Sequence, residues 1–257
     1  MKKIVYPLMI VLIAASCKKN NSSLSETPAE SVTQNSNASV STLQFSGYTW
    51  YIKSSNDPLG PGPNIFNGNN AFVDSNGRLH LKITKNTTTG KWNCAEIYSA
   101  QNFGYGSYQW QVEGRIDSMD KNIVLGLFNY SGHNLFDEMD IEFARWGNSA
   151  WPNLNYTVWP AVSGQSTWDY TKFFTLNGTY TTHRFTRTSS SVVFRSMHGH
   201  VNDNTNQFAT ATCSSPASSI STLSMPVHMN LWLYDGFAPS DGKEVEIIIH
   251  NFKYTAG

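Results

Sequence analysis

The segment from Phe136 to Trp146 constrains the fold most strongly, because its side chains alternate with the period of two of a β-strand. One face of this strand is acidic and aromatic: Glu138, Asp140, Glu142 and Trp146. The other face is apolar: Met139, Ile141 and Phe143. The apolar face requires a core, whereas three neighbouring carboxylates repel one another. The pattern therefore predicts a half-buried strand whose acidic face has a chemical purpose.

The spacing of the two glutamates gives a distance that can be related to chemistry. Four residues of strand separate their α-carbons by roughly 13 Å at about 3.3 Å per residue. If Glu138 and Glu142 lean toward each other, their carboxyl groups end about 5 Å apart, the separation typical of a retaining glycosidase. Asp140 between them would couple their titrations and help to keep one carboxyl group protonated near neutral pH.

Two other interpretations of the acidic face stay open. A strand that simply exposes scattered acids to solvent would show the same residues without any site. A cluster of carboxylate oxygens also suits a calcium ion, so a structural calcium is an alternative to catalysis.

Short strands separated by turn signals run through the rest of the chain. Dipeptides such as Asn76-Gly77 and Asp241-Gly242 mark turns, and no segment has a long helical period. The predicted strands are 45–52, 78–84, 94–99, 105–116, 123–130, 136–146, 155–159, 182–188, 192–197, 228–233 and 243–252. Many short strands with such turns predict an all-β sandwich or barrel.

The Glu-x-Asp-x-Glu motif at Glu138, Asp140 and Glu142 resembles the signature of glycoside hydrolase family 16. The resemblance implies a jelly-roll β-sandwich of two curved antiparallel sheets, of the concanavalin A-like lectin and glucanase type. It also implies a retaining endo-β-glycanase or transglycosylase. In these terms Glu138 is the nucleophile, Asp140 its helper and Glu142 the general acid and base.

Further segments extend the resemblance over residues 43–256. Those that look like family strands are Phe103–Tyr108, Asn230–Leu233 and Glu244–Tyr254. The sequence departs from the family at Thr186 and Arg187, where a Trp is common. It departs again at Met197–His200, where the family usually has a Val-Asp-Gly turn. Because this region commonly borders the cleft, the departures leave the substrate open.

Aromatic and polar residues near these motifs are candidates for substrate binding, because an indole ring can stack on the apolar face of a sugar. Our candidates are Trp146, Trp151, Trp232, Tyr105, His133 and Asn230. Core packing is the alternative for any one Trp. His198 and His200 share a strand face and could ligate a metal, but no third ligand is identifiable.

The N-terminus predicts export and anchoring. Positive charge at Lys2 and Lys3 precedes an apolar run at 4–15 that is too short to span a membrane and typical of a signal peptide. The residues before Cys17 resemble a bacterial lipobox, so we predict a lipoprotein signal peptide at 1–17, lipidated at Cys17. Residues 18–42 are polar and predict a flexible tether. The hydrolase domain follows at 43–257, on the cell envelope, either periplasmic or at the outer surface.

Composition excludes several other classes of protein. The formal net charge is zero and 14% of residues are charged, which argues against nucleic acid as a partner. No Gly-x-Ser-x-Gly or phosphate-binding motif is present. Cys94 and Cys213 could pair in an oxidising compartment or remain buried thiols.

Together these observations predict a monomeric, retaining endo-hydrolase of a β-linked polysaccharide, either a β-glucan or a β-galactan. We expect no cofactor, with structural calcium left open, and contact with a membrane only through the lipid anchor. A transglycosylase and a non-catalytic glycan-binding lipoprotein are the alternatives.

Overall fold

The computed structural model describes residues 41–257. The predicted signal peptide, the lipidated Cys17 and nearly all of the predicted tether lie outside the described residues. Within the described part, no helix is long and apolar enough to cross a membrane.

The described chain is built almost entirely of β-strands, which we number in chain order. Their bounds are β1 Thr42–Phe45, β2 Tyr48–Ile52, β3 Ile65–Phe66, β4 Ala71–Val73, β5 Leu79–Lys85, β6 Trp92–Ser99, β7 Gly106–Glu113, β8 Ile123–Tyr130, β9 Glu138–Phe143, β10 Leu154–Trp159, β11 Trp168–Lys172, β12 Tyr180–Arg187, β13 Val192–His198, β14 Gln207–Cys213, β15 Val227–Leu233 and β16 Val245–Ala256. The only helical turns in residues 41–257 are 3₁₀ turns at Gly68–Asn70, Ala217–Ser219 and Tyr234–Gly236.

The strands form two sheets. The first has the order β11-β10-β9-β8-β15-β6-β2-β1, and the second has the order β4-β5-β16-β7-β12-β13-β14. A short pairing of β5 with β6 joins them, and all pairings are antiparallel except that of β3 with β6. This arrangement confirms the predicted all-β jelly-roll sandwich.

The two sheets pack face to face over one apolar core. Tyr156 of β10 stacks on Phe194 of β13 with ring centroids 4.9 Å apart. Trp50 of β2 meets Phe252 of β16 edge-on at 5.5 Å. The apolar residues of the central motif point into this core and are fully buried: Met139, Ile141 and Phe143. Their burial fixes the opposite face of β9 outward, because successive side chains of a strand alternate.

The structure corrects several details of the sequence prediction. The strands β3, β4, β11 and β14 were not predicted, and the central strand β9 is shorter than the alternating segment that predicted it. The predicted strand 45–52 is interrupted by a turn at Ser46 and Gly47, so β1 was also missed except for its last residue. Cys94 and Cys213 are both free and buried, so the disulfide left open above does not form.

Candidate active site

The outward face of the first sheet forms the floor of a cleft of about 920 Å³. The residues that line it come from five strands and two loops: Lys53, Gly60, Pro61, Glu96, Tyr98, Phe128, Tyr130, Asn134, Leu135, Glu138, Asp140, Glu142, Trp159, His228, Asn230 and Trp232. All three carboxylates of the motif are among them. The strand alternation read from the sequence therefore brings Glu138, Asp140 and Glu142 together on one accessible surface.

The register of β9 with its neighbours determines what surrounds each carboxylate. Tyr130 of β8 and Trp159 of β10 lie opposite Glu138, while Gly126 of β8 and Asn155 of β10 lie opposite Glu142. Directly paired residues project to the same face of a sheet. Glu138 thus has an aromatic neighbour on each side, and Glu142 has a glycine on one side.

Asp140 is the most buried of the three acids and is held by an indole. Trp159 Nε1 donates a hydrogen bond of 3.0 Å to Asp140 Oδ2. Burial raises the pKa of Asp140 well above its ordinary value, and the charges of Glu138 and Glu142 raise it further. The hydrogen bond from Trp159 acts in the opposite direction because it stabilises the carboxylate.

The two glutamates also hold their protons more tightly than usual. Burial, followed by the charge of Glu138, raises the pKa of Glu142 to about 8. Burial raises the pKa of Glu138 to about 7, where a hydrogen bond shared with Asp140 opposes the rise and the charge of Glu96 adds to it. Near neutral pH the cluster can therefore hold an ionised carboxylate beside a protonated carboxylic acid, which is the pairing that acid-assisted nucleophilic attack needs.

Gly126 leaves space that the amide of Asn230 fills. A β-carbon at Gly126 would lie 2.4 Å from Asn230 Oδ1. Asn230 is 2% exposed, and its Oδ1 has no hydrogen-bond partner among the described residues. Because Gly126 is directly opposite both Glu142 and Asn230, the amide occupies the floor of the cleft next to the acid.

One wall of the cleft is the loop between β8 and β9. Leu135 and Asp137 both have positive φ, at 70° and 52°, which is unusual for residues other than glycine. Leu135 is 62% exposed at the cleft edge, and Tyr130 donates a 2.8 Å hydrogen bond to Asn134. The loop thus presents an apolar side chain beside Glu138.

Two of the predicted substrate-binding residues, Asn230 and Trp232, line the cleft. Trp146 does not continue the acidic face, because β9 ends at Phe143 and Trp146 has a φ of 49°. Its ring packs 6.3 Å from that of Trp232, and its Nε1 donates to Asn155 Oδ1 at 3.2 Å. Trp146 therefore supports a cleft residue from the side.

The other three predicted substrate-binding residues lie outside the cleft lining. Tyr105 precedes β7 in the second sheet, where its carbonyl accepts from Tyr254 Oη and Arg187 lies over its ring. Trp151 is 50% exposed in a turn after β9. His133 is exposed in the β8–β9 loop, beside the residues that do line the cleft.

Sequence reasoning missed a group of cleft residues on β6, β8 and β15: Glu96, Tyr98, Phe128, Tyr130 and His228. Their alternation was visible, since Glu96 and Tyr98 are two residues apart. Their membership of one site was not, because that depends on which strands are neighbours.

The metal alternatives receive no geometric support. No group of three His, Cys, Asp or Glu residues within 41–257 is arranged to hold a metal ion. His200 Nε2 lies 3.1 Å from the carbonyl of Val112, and His198 packs against Phe208.

Comparison with known proteins finds β-glucanases among the relatives of this chain. No family model matches the sequence. A stretch of 106 residues is 32% identical to the β-glucanase of Bacillus subtilis (strain 168), covering 38% of this chain and 42% of that protein. The match therefore spans less than half of that relative's length.

The fold is similar to that of solved glucanases. The β-glucanase of Bacillus licheniformis superposes with a TM-score of 0.62 and 20% identity, over 81% of this chain and 92% of that one. A glycoside hydrolase family 16 endo-glucanase from Bacteroides ovatus superposes with a TM-score of 0.58 and 13% identity, over 80% and 94%. At these identities the likeness establishes the fold.

Proposed function

We propose that this chain belongs to glycoside hydrolase family 16 and hydrolyses internal bonds of a β-glucan with retention of configuration. The observation that carries the proposal is the acidic face of β9, with Glu138 and Glu142 on either side of Asp140 in one open cleft. The relatives named above as β-glucanases and as an endo-glucanase support the glucan.

The first half of the reaction forms a covalent intermediate. Glu142, protonated near neutral pH, donates its proton to the glycosidic oxygen as the bond to the anomeric carbon breaks. Glu138, in its ionised form, attacks the same carbon from the opposite face and becomes the glycosyl ester. Asp140 shares a hydrogen bond with Glu138 and orients it for the attack.

The second half regenerates the protein. Glu142, now ionised, takes a proton from a water molecule whose oxygen attacks the anomeric carbon and releases Glu138. Two inversions at one carbon leave the product with the configuration of the substrate. The raised pKa of Glu142 suits both of its roles, because a group that titrates near the working pH can donate and accept a proton.

The cleft chemistry supports a neutral polysaccharide. Apart from the three acids and the Lys53–Glu96 ion pair, the lining of the cleft consists of aromatic and other uncharged residues, and the chain has no net charge. Trp232 offers an indole next to the carboxylates on which a sugar ring can stack.

A panel of purified polysaccharides tests the proposal. We expect reducing ends to be released from mixed-linkage or β-1,3-glucans, with ¹H NMR showing β-anomers as the first products. Release from β-galactans alone would reassign the substrate. Products longer than the substrate would instead indicate a transglycosylase, and binding without cleavage would indicate a glycan-binding protein.

Azide rescue tests the roles of the two glutamates. Glu138→Ala should lose nearly all activity and recover part of it with azide, giving a glycosyl azide of inverted configuration. Glu246→Gln is a matched control, because Glu246 lies on β16 in the second sheet, where it pairs with His80. Substantial hydrolysis by Glu138→Ala without azide would contradict the nucleophile assignment.

We also propose that Cys17, outside the described residues, carries the lipid that attaches a monomer to the cell envelope. The lipobox-like residues before it support this. Membrane fractionation of the wild type and Cys17→Ala tests it, since only the wild type should sediment with membranes. Size-exclusion chromatography of residues 41–257 measures the oligomeric state.

A further inference from the structure

A row of rings crosses the cleft floor on one side of the carboxylates. Cross-strand pairing runs from Asp140 on β9 to Phe128, His228, Tyr98 and finally Tyr51 on β2. Only β10 and β11 lie on the other side of β9. The floor is therefore longer on the side of the rings, and we call this part of the cleft the β15 arm.

The rings of the β15 arm stand side by side and cover one another's faces. The imidazole of His228 stacks on Tyr98 at 5.4 Å and 18°, and on Phe128 at 4.9 Å and 24°. With both faces covered, the imidazole can reach a ligand only through its edge. This part of the floor thus recognises a sugar by hydrogen bonds rather than by ring stacking.

A buried carboxylate determines which edge of His228 faces the cleft. His228 Nδ1 lies 3.2 Å from Glu96 Oε1, and Lys53 Nζ lies 2.8 Å from Glu96 Oε2. Although burial of Glu96 acts to raise its pKa, the hydrogen bonds and charges of His228 and Lys53 outweigh it and lower the pKa. An ionised carboxylate only accepts hydrogen bonds, so Nδ1 of His228 is the donor in this pair.

The remaining nitrogen is available to a ligand. Nε2 forms no hydrogen bond with any described residue, and the side chain of His228 is 12% exposed while it lines the cleft. Nε2 can accept a hydrogen bond through its lone pair or, when it carries a proton, donate one. A sugar hydroxyl group suits either role, because it both donates and accepts hydrogen bonds.

We propose that Nε2 of His228 forms a hydrogen bond with a hydroxyl group of the sugar unit bound in the β15 arm, with Glu96 and Lys53 as positioning residues. The inference rests on the proposed function. Two strand spacings separate His228 from Asp140, or roughly 10 Å. That span corresponds to a disaccharide, so His228 reads a unit beyond the one that reacts and selects substrates by length and hydroxyl orientation.

The chain-length dependence of kcat/KM on β-gluco-oligosaccharides tests this inference. The wild type should show a step at the length that first reaches His228. His228→Phe keeps a ring between Tyr98 and Phe128 and removes both nitrogens. On substrates long enough to reach His228, its kcat/KM should fall about tenfold, mainly because KM rises. Shorter substrates should be cleaved as by the wild type.

Two further variants make the result interpretable. His250→Phe is the matched control, because His250 also pairs with a carboxylate, Glu113, at 2.6 Å but lies in the second sheet. His228→Gln keeps an amide that can donate to Glu96 and should retain part of the step. It also provides the test if His228→Phe does not fold.

The outcomes separate this inference from the proposed function. A wild type that cleaves no β-glucan would overturn the proposed function itself. A wild type that cleaves glucan without a step would overturn only the role of His228. A folded His228→Phe variant that keeps the step would also overturn the role of His228. The same holds if the variant loses kcat/KM equally at every substrate length.

Discussion

Trp159 Nε1 donates its hydrogen bond to Asp140 although its backbone pairs with Glu138, so the indole leans along the strand to reach the central acid. This bond stabilises the ionised form of Asp140 against burial and the neighbouring charges. It also fixes Oδ2 of Asp140 in the cleft.

Removing the indole donor should impair catalysis. Trp159→Phe is expected to lower kcat about tenfold, the loss associated with one hydrogen bond to a charged group. Because the pKa of Asp140 would rise further, Asp140 would hold its proton more firmly and stabilise the ionised form of Glu138. The acidic limb of the pH profile, which reports Glu138, should therefore move to lower pH. Trp151→Phe, at an exposed position outside the cleft, should leave kcat and the pH profile unchanged. An unshifted profile in Trp159→Phe would contradict the role given to this bond.

The pH dependence of kcat/KM should be bell-shaped. Activity needs Glu138 ionised, so it should fall as the pH drops through about 7. It also needs Glu142 protonated, so it should fall as the pH rises through about 8. The apparent pKa values belong to the coupled cluster. Initial rates at low substrate concentration measure them, and a profile that keeps rising to about pH 10 would argue against Glu142 as the acid.

Neutralising the acid should stabilise the fold at high pH. Since the pKa of Glu142 is raised from 4.5 to about 8, the stability linked to its proton is fully present below about pH 4.5 and lost as the pH rises through about 8. Glu142→Gln should therefore raise Tm by about 5 °C at pH 9. The difference should vanish near pH 4. Thermal unfolding at both values measures it, and equal Tm differences would show that the carboxyl group is not strained by burial.

Gly126→Ala should affect activity more than folding. The new β-carbon would meet Asn230 Oδ1, the end of a side chain, so we expect a cost of about 1 kcal/mol in stability, the low end for overpacking. The displaced amide should lower kcat/KM about tenfold. Gly106→Ala is the contrast, because its β-carbon would meet the Thr255 carbonyl at 2.4 Å and its φ is 149°. That variant should lose stability and keep its activity per folded molecule.

Substrate affinity should separate residues that line the cleft from those that do not. Trp232→Phe removes part of an indole in the cleft and should raise KM for polysaccharide about fivefold. Tyr105→Phe should leave KM unchanged, because Tyr105 lies in the second sheet beside Tyr254. Kinetics on the same glucan compare the two variants. A raised KM in Tyr105→Phe would contradict the assignment of the cleft as the substrate-binding surface.

Local patterns in the sequence determined much of the fold. The strand β8 matches its predicted bounds, and the alternation of Leu79, Leu81 and Ile83 matches their complete burial on β5. The missed strands carry weaker signals: β3 has two residues, β4 has three, and β11 is only half-buried. Short or exposed strands depend on their pairing partners rather than on their own apolar periodicity.

Trp146 shows the limit of extending a local pattern. Its spacing from Glu142 agrees with the acidic face, but the strand ends at Phe143 and the chain turns at Trp146 and Gly147, both with positive φ. A period of two applies only while the backbone remains extended. The sequence alone does not show at which residue the pairing of β9 with β8 and β10 ends, and therefore where β9 itself ends.

The sequence by itself determined that Glu138, Asp140 and Glu142 share one face of a strand, because alternation is a property of the strand alone. Only the tertiary structure decided what surrounds them. Glu96, His228 and Trp159 reach the same cleft from strands far apart in the chain, through the order and register of the first sheet. Burial among these neighbours then raises the pKa values, since desolvation depends on every neighbour in space and not on neighbours in sequence.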